Sequence, residues 1–437
     1  MIVYPLIEEM ILEAGINQDI VKLVYESSKK ERADRKNLYN RYKCEDIPIK
    51  KRENKNKMKI NNKLNNPFDA DIVDQKTGYF AGIPATFSID DDIQQKTLSE
   101  FLKDNHYADL DSEATRQAAI TGKASRLLYI NSNGEPAMVN INPWEVVTVG
   151  NPTEPTASFR FIRKSSNDKI KYLVKVYYQN NIIDYELIES DKIEIILKKE
   201  TINLFKNPTL FDIPNNEDLQ SDTYKVLSLI DDYDRLLSDS SNDREQFTNA
   251  ILAMYGFKIE KGSEETLKTS SLLDDLDINS KIEYITKDIN DAFLENQKNT
   301  REKNIYKFAK AVNFDDISFG GNISGIAMKF KIFNLENKCI TFENKMKRAL
   351  FYQFKLLSDV YSLKNIKLDY KNIKMTFIRR IPINLSDEAE TAQKLINLVS
   401  NKTILENLSI VENVEKELER INEESGETKK IDISEDE

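Results

Sequence analysis

The longest regular pattern of apolar positions runs through residues 326–361, where the chain has neither glycine nor proline. Apolar side chains recur there every three or four residues, which is the period of an α-helix with one buried face. At 1.5 Å per residue this helix would be roughly 54 Å long. The positions that define it are Phe342, Met346, Ala349, Leu350, Phe354, Leu357, Val360 and Tyr361.

A glycine-containing segment, residues 313–325, comes directly before this helix. Gly320 and Gly321 adopt a wide range of φ values at little cost, so we expect a mobile loop here. Asn322 or Ser324 can cap the helix that follows.

Two polar helices are predicted in the middle of the chain. Residues 221–255 show helical periodicity but have no apolar residue between 238 and 246, and residues 288–312 are equally polar between 296 and 304. Such a helix gains little from packing an apolar face. We therefore expect these polar centres to pack against identical helices of neighbouring copies. Residues 257–286, between the two helices, break into short β-like and loop pieces. Two polar helices around such a small module are typical of a stalk with a tip.

The N-terminal half is predicted to be an α+β region. Residues 7–25, 31–52 and 94–122 have helical periodicity. Asn133-Gly134 favours a tight hairpin turn between two strands. The predicted strands are residues 124–130, 136–141, 145–149, 158–163, 170–178 and 182–187.

The C-terminal part returns to this sheet and then becomes helical. Residues 366–377 alternate like a hairpin that would complete the earlier sheet. Ser386 caps one helix and Thr403 opens another with a capping box. Residues 412–437 hold eleven acids and four bases, and we expect a solvated tail there.

Composition excludes several classes of protein. The 437 residues are 40 % hydrophobic with a net charge of −10, and they can build two or three cores. No run of 18 apolar residues or secretory signal pattern is present, so we expect neither a membrane-spanning nor a secreted protein. The single histidine, His106, argues against a His-based hydrolase or a zinc site. Cys44 and Cys339 have no metal-type spacing and indicate a reducing compartment.

Charged clusters leave alternatives open. Residues 29–63 contain fourteen Lys or Arg against five acids, which suits phosphate or anionic lipid, a solvated helix face, or an acidic neighbouring subunit. A two-metal nuclease needs carboxylates that converge from several elements. The acidic clusters lie instead on one polar helix (Asp231, Asp232, Asp234) and in the tip (Asp274, Asp275, Asp277).

Nucleotide-binding chemistry is also missing from the pattern. Gly122-Lys123 is followed by Ala124 and lacks the earlier glycine of a phosphate-binding loop. We therefore assign no catalytic residue, metal ligand or cofactor-binding residue.

Six phrases, in order along nearly the whole chain, resemble one protein family. They are IVDQKTGYFAGIP (72–84), AAITGKASRLLYINSNGE (118–135), PTLFDIPNNED (208–218), LSLIDDYDRLLSDSSND (227–243), GNISGIAMKFKIFNLENK (321–338) and SNKTILENLSIVENVEKELERINEE (400–424). Together they resemble the portal protein, or head-to-tail connector, of tailed double-stranded DNA bacteriophages, of the siphophage type of Gram-positive hosts.

The resemblance implies an α+β, mostly helical fold of the portal type. Its regions would be a wing (1–220, with returning strands at 363–384), stem helices (221–256 and 288–312), a clip (257–287), a tunnel loop (313–325), a spine helix (326–362) and a crown with an acidic tail (385–437).

Candidate functional residues follow from this division. The tunnel loop of the DNA channel would present Asp315, Asp316, Ser318, Phe319, Gly320, Gly321, Asn322 and Ser324. The stem cations that either line the channel or pair with a neighbouring stem are Lys298, Arg301, Lys303, Lys307 and Lys310. The clip residues of a docking surface would be Lys258, Glu260, Lys261, Glu264 and Glu265. An acidic chain without an aromatic–basic reading surface suits DNA that slides without sequence readout.

The implied function is a non-enzymatic channel at one capsid vertex, through which double-stranded DNA enters during packaging and exits at ejection. The implied assembly is a ring of about twelve identical subunits. Implied partners are the terminase large subunit, a head-completion adaptor, and the major capsid and scaffolding proteins, without a membrane. Assembly would take place in the host cytoplasm and the final location would be the virion. Two alternatives remain: a metal-dependent DNA-packaging nuclease, and a minor structural head protein without a channel.

Overall fold

The structure is a computed structural model of the 437-residue chain. It describes residues 3–53, 60–164, 170–190, 192–247, 251–255, 281–285, 291–314, 325–380 and 385–406, with parts of 408–424. Every structural statement below concerns these residues. They form a mixed α+β fold in which helices predominate.

Helices account for most of the described chain. They are α1 (Pro5–Ala14), α2 (Gln18–Tyr42), α3 (Phe68–Ala81), α4 (Asp92–Asp104), α5 (Tyr107–Thr121), α6 (Leu227–Phe247), α7 (Asp291–Ala309), α8 (Gly325–Leu363), α9 (Leu385–Leu395) and α10 (Asn401–Glu406). No helix within the described ranges is both long and apolar enough to cross a membrane.

The strands pair in antiparallel fashion and range from 3 to 11 residues in length. They are β1 (Thr86–Ser88), β2 (Lys123–Ile130), β3 (Pro136–Ile141), β4 (Val146–Asn151), β5 (Glu154–Lys164), β6 (Ile170–Tyr178), β7 (Asn181–Glu189), β8 (Ile193–Ile202), β9 (Leu210–Pro214), β10 (Ile251–Tyr255), β11 (Lys281–Ile285) and β12 (Lys374–Thr376). They pair as a five-stranded sheet in the order β4-β5-β6-β7-β8, a three-stranded sheet β3-β2-β9, and the pairs β1-β12 and β10-β11.

Helices α1 and α2 cover one face of the five-stranded sheet. Ile11 and Val24 from the helices are fully buried against Phe159, Val174 and Val176 of the strands. The alternation of apolar and polar residues along β6 places its valines on this covered face, as the sequence pattern predicts.

The long helix α8 organises the larger core. Its 39 residues include the predicted helix, and Phe342, Met346, Leu350 and Phe354 are all buried. They pack with residues of α3, α5, β2 and β9 in one hydrophobic cluster. The helix predicted over residues 326–361 is therefore confirmed.

Several predicted boundaries are wrong. The helix predicted over 7–25 is divided at Gly15, and Asn17 caps α2 through its side chain. The helical stretch predicted over 94–122 is divided at His106, which has φ 49° and directly precedes α5. The helix predicted over 221–255 ends at Phe247. Residues 251–255 form strand β10 instead, because antiparallel pairing with β11 outweighs the local helical pattern.

The predicted hairpin over residues 366–377 is also wrong. That segment contains a 3₁₀ turn (Tyr370–Asn372) and one strand, β12. Strand β12 pairs with β1 in a separate two-stranded sheet and does not join the larger sheets. Asp369 favours the turn because its side chain accepts a hydrogen bond from the Lys371 backbone amide. The hairpin predicted around Asn133-Gly134 does form, between β2 and β3, with Gly134 at φ 76°.

Candidate functional site

The two polar helices predicted as a stalk pack against each other at one end. Ile230 and Tyr233 of α6 meet Ile305 and Ala309 of α7 in a small apolar cluster that also contains Ile72 of α3. This cluster fixes the helix pair to the rest of the protein. The middle of each helix beyond it remains polar, as the sequence indicates.

Two of the five predicted stem cations form contacts inside the chain. Arg301 Nε donates to Asp232 Oδ2 of α6 at 2.5 Å, and its guanidinium also reaches Gln297. Lys298 Nζ lies 3.4 Å from Glu295 Oε1 one turn earlier. Arg301 therefore links the two helices.

The other three predicted stem cations are exposed. Lys303 and Lys307 lie on one face of α7, four residues apart, and Lys310 follows the end of the helix three residues later. None of the three forms an ion pair with another residue that the structure describes. Positive charge near a helix C-terminus is favourable because carbonyl groups there carry partial negative charge. The structure thus presents Lys303 and Lys307 along one face of α7 and Lys310 just past the end of the helix, where its φ is 54°. The Lys307 ammonium lies 5.7 Å from the centre of the Phe308 ring.

The polar centre of α6 has partners within the same chain. Leu64 donates its backbone amide to Ser238 Oγ at 3.0 Å, and Asn62 donates its amide to Asn242 Oδ1 at 2.7 Å. Arg52 forms an ion pair of 2.6 Å with Asp239. For Ser238, Asp239 and Asn242 the partners therefore lie within the chain, whereas packing of the polar centres against neighbouring copies stays a prediction. Arg52 and residues 60–66, which precede α3, supply these contacts.

The acidic cluster on α6 is bound up in structural contacts. Asp231 accepts a bond of 2.8 Å from Arg41, and Asp234 accepts from the backbone and side-chain amides of Asn66 at 2.9 and 2.8 Å. Asp232 forms an ion pair with Arg301 of α7. No group of three or more metal-ligating side chains occurs in the described ranges. These carboxylates therefore hold elements together.

The basic run at residues 29–63 is likewise used internally at its arginines. Arg35 binds Glu31 at 2.7 Å and also donates to the Thr121 carbonyl at the end of α5. Arg41 bridges α3 and α6 through ion pairs with Asp69 and Asp231. The arginines join α2 to its neighbours, and the phosphate alternative loses its strongest binders.

The tunnel-loop and clip residues predicted from the sequence lie outside the described residues. These are Asp315, Asp316, Ser318, Phe319, Gly320, Gly321, Asn322 and Ser324 in the loop, and Lys258, Glu260, Lys261, Glu264 and Glu265 in the clip. The second acidic cluster, residues 274–277, lies outside them too. All of these assignments stay predictions.

A buried charge cluster that the sequence analysis missed lies where the stalk meets the long helix. Asp222, just before α6, has Oδ2 at 3.4 Å from Lys76 Nζ of α3 and 3.5 Å from Lys338 Nζ of α8. Asn215 donates to the same carboxylate at 2.9 Å and accepts a bond from Lys76. Lys338 also donates to the Ala309 carbonyl at the end of α7, at 3.1 Å. We call these groups the junction cluster.

The electrostatics of the junction cluster follow from burial and from the ratio of two cations to one anion. Lys76 has no exposed side-chain area, and burial lowers its pKa, although Asp222 opposes this shift. Burial alone would raise the pKa of Asp222, but Lys338 and Lys76 outweigh it and hold that pKa below its usual range. A usable signal existed, because Lys76 falls four residues after Ile72 and four before Phe80 on the buried face of α3.

A second set of contacts binds the chain after β12 to the same part of α8. Arg379 binds Glu336 at 3.1 Å and Glu343 at 2.6 Å. The Tyr79 hydroxyl donates to Glu336 at 2.7 Å, and Arg379 lies 4.8 Å from the centre of the Phe80 ring. Residues 336–343 of α8 are thus bound by α3, by the ends of the polar helices α6 and α7, and by the segment leading to α9.

Comparison with known proteins gives a consistent result. Residues 22–430 match the family model described as phage portal protein, SPP1 Gp6-like. A portal protein of Clostridium phage phiCD119 is 24 % identical over 400 residues, covering 84 % of this chain and 86 % of the relative. A portal protein of Bacillus phage SPP1 is 24 % identical over 394 residues, covering 84 % and 76 %.

Among solved structures, one similar chain comes from the neck of a native GTA particle computed with C12 symmetry. It has a TM-score of 0.47 and 11 % identity, and the match covers 78 % of this chain and 88 % of that chain. The family match alone extends over nearly all of the sequence. This chain therefore belongs to the SPP1 Gp6-like family of phage portal proteins.

Proposed function

We propose that this chain assembles into a closed ring that forms a channel at one capsid vertex. Double-stranded DNA would pass through this channel into the head during packaging and out of it at ejection. The observation that carries the proposal is the family match over residues 22–430. In this proposal about twelve copies form the ring by cyclic symmetry, and a separate motor supplies the energy, so the chain itself is not an enzyme.

Within the ring, the exposed lysines of α7 face the DNA. Lys303 and Lys307 are four residues apart, or about 6 Å along the axis of α7, and Lys310 follows the end of the helix. Cyclic symmetry would turn each lysine into a ring of positive charge. Such charges attract phosphates without reading bases, so they suit passage of any sequence. Arg301 has a structural role instead, because it links α7 to Asp232 of α6 within the subunit. Among the described residues, Lys298 forms only a half-exposed pair with Glu295 on its own helix.

The remaining contacts are assigned to parts outside the described residues. The tunnel loop, residues 313–325, would follow the DNA, with Asp315 and Asp316 limiting its grip. The clip, residues 257–287, would dock the terminase large subunit during packaging and a head-completion adaptor afterwards. The ring would assemble with capsid and scaffolding proteins in the host cytoplasm and remain in the virion.

A packaging assay tests this proposal. The variant K303Q/K307Q/K310Q should form rings like the wild type but package less DNA, with the largest difference at low salt, where phosphate attraction is strongest. The matched control, K96Q/K103Q/K371Q, removes three other exposed lysines and should package normally. Equal packaging by both triple variants would remove the α7 lysines from the channel.

The loop assignment has a separate test. Deletion of residues 318–322 should leave ring assembly intact and impair packaging. Unaltered packaging by the deletion variant would exclude the loop from the mechanism. Absence of rings in the wild-type protein, with or without capsid and scaffolding proteins, would contradict the channel itself.

A further inference from the structure

Helix α1 presents an apolar, acidic surface at one edge of the five-stranded sheet. The helix is fixed there because Ile7 and Ile11 are buried, Glu8 accepts a bond of 2.5 Å from Thr156 of β5, and a backbone bridge joins Val3 to Gly150 of β4. Its outer surface carries Leu6, Met10 and Leu12, which are 74 %, 43 % and 64 % exposed, together with the exposed carboxylates Glu9 and Glu13.

The opposite edge of the same sheet is strand β8. It pairs with β7 on one side, and on the other side it has no partner strand in the described part of the chain. Leu197 and Ile202 are 51 % and 79 % exposed, and Leu204 just beyond the strand is 47 % exposed. An edge strand of this length exposes unpaired backbone groups, which proteins protect with charged side chains such as lysine or cover with a helix, a loop or another strand.

The two surfaces carry opposite charge. Helix α1 contains three glutamates and no basic residue, whereas residues 192–206 contain four lysines and two glutamates. Glu9 and Glu13 form no ion pair with any residue that the structure describes, and the same holds for Lys199 and Lys206. Lys198 is different because it binds Glu186 of β7 at 2.6 Å.

The positions of the surfaces determine what kind of contact they can make. Four inter-strand spacings separate β4 from β8, so the surfaces lie about 19 Å apart across the sheet. They cannot meet within one subunit. Contact of α1 with a second α1 would bring glutamates together, whereas contact of α1 with β8 pairs opposite charges and covers apolar groups on both sides. Two different patches on opposite sides make a heterologous contact, which repeats from copy to copy and gives a ring when the rotation between copies closes.

We infer that α1 of each subunit packs on the β8 edge of the next subunit in the ring, with Glu9 and Glu13 facing Lys199 and Lys206. The inference rests on the proposed ring and names the surfaces that join its copies. The occupant of the β8 edge is thus a second copy of this chain.

A charge-swap experiment tests the contact. The reversals E9K/E13K and K199E/K206E each place like charges across the interface. Each should reduce the fraction of rings about tenfold at a fixed protein concentration, which corresponds to a loss of about 1.4 kcal/mol in the free energy of association. Combining both reversals should restore ring formation to within about twofold of the wild type, which corresponds to about 0.4 kcal/mol. The control K96E/K103E changes two other exposed lysines and should assemble normally. Native mass spectrometry gives the ring fraction, and circular dichroism verifies that each variant is folded.

The outcomes separate this inference from the proposed function. Normal rings from both reversals, or no recovery in the combined variant, would overturn the α1–β8 contact and leave the ring untouched. Absence of rings in the wild type would overturn the proposed function itself.

A cross-linking measurement gives an answer that does not depend on assembly yield. In a Cys44→Ser background, we expect Leu12→Cys copies mixed with Leu197→Cys copies to form covalent dimers with a short bis-maleimide. Either variant alone should give none, because a heterologous contact brings α1 to β8 and never to another α1. Cross-linking within each single variant, or none in the mixture, would contradict the contact.

Discussion

The substitution Asp222→Asn probes the junction cluster most sharply. It removes the carboxylate that lies 3.4 Å from Lys76 and 3.5 Å from Lys338, and it leaves two ammonium groups facing each other in a buried site. Removing one partner of a buried ion pair typically costs about 3–5 kcal/mol, because the remaining charge is uncompensated. We expect Asp222→Asn to fall in this range, since Lys76 has no exposed area and cannot turn to solvent.

The matched variant Lys76→Met should be much milder. It removes one of two cations, so Asp222 keeps Lys338 and the 2.9 Å bond from Asn215. A methionine fills similar space among apolar neighbours, and we expect a loss on the order of 1 kcal/mol. In the double variant the loss should be at least ~2 kcal/mol smaller than the sum of the two single losses, because the orphaned ammonium is gone.

Urea denaturation followed by circular dichroism measures these differences at a fixed protein concentration. In Asp222→Asn the pKa of Lys76 stays lowered by burial, so the folded state binds fewer protons than the unfolded state as the pH approaches the ordinary lysine pKa. Stability of this variant should therefore recover as the pH rises toward that value. The reasoning is refuted if Asp222→Asn lies within about 0.5 kcal/mol of the wild type, or if Lys76→Met is the more damaging change.

Three further predictions concern single sites. Burial raises the pKa of the Cys339 thiol to about 11, so alkylation of the native protein near neutral pH should modify Cys44 alone, and early modification of Cys339 seen by mass spectrometry would contradict its burial. Met346→Pro should abolish folding by circular dichroism, because it breaks α8 at a cost of ~3 kcal/mol or more, while Met346→Leu should stay folded. Burial opposes ionisation of Glu31, but the charge of Arg35, together with the other partners of Glu31, outweighs burial and lowers the Glu31 pKa to about 2. The contribution of Glu31 to stability should therefore be lost as the pH falls from about 4.5 to about 2. Glu31→Gln should flatten this part of the curve of stability against pH.

The parts of the fold that the sequence predicts well are those with a long, uniform period. In α8 the buried apolar positions repeat from Ile332 to Tyr361, or over about eight turns. Phe342, Met346 and Phe354 lie where the period places them. The β2–β3 hairpin is equally clear because Asn133-Gly134 supplies the backbone conformation that a tight turn needs.

Strand β9 was missed for a physical reason. All five residues of β9 are buried, yet the strand is short, ends in proline and contains Asp212, which reads as a loop residue. In the structure Asp212 accepts bonds from Lys123, Ser125 and Thr148 at 2.8, 2.5 and 2.7 Å. Such a network joins residues distant in sequence, and local pattern carries no trace of it.

The polar helices show the same limit. A helix face without apolar residues must find hydrogen-bond partners, but its sequence does not say whose they are. For Ser238, Asp239 and Asn242 they belong to the segment before α3 of the same chain. For the stem cations, only the structure separates Arg301, which is engaged, from Lys303, which is free among the described residues.

Electron microscopy of the purified full chain, alone and with capsid and scaffolding proteins, tests the channel most directly. We predict closed rings with an open axis wide enough for a DNA duplex, with Lys303, Lys307 and Lys310 lining it. Particles that never exceed dimers under either condition, or rings whose axis is filled by protein, would contradict the channel.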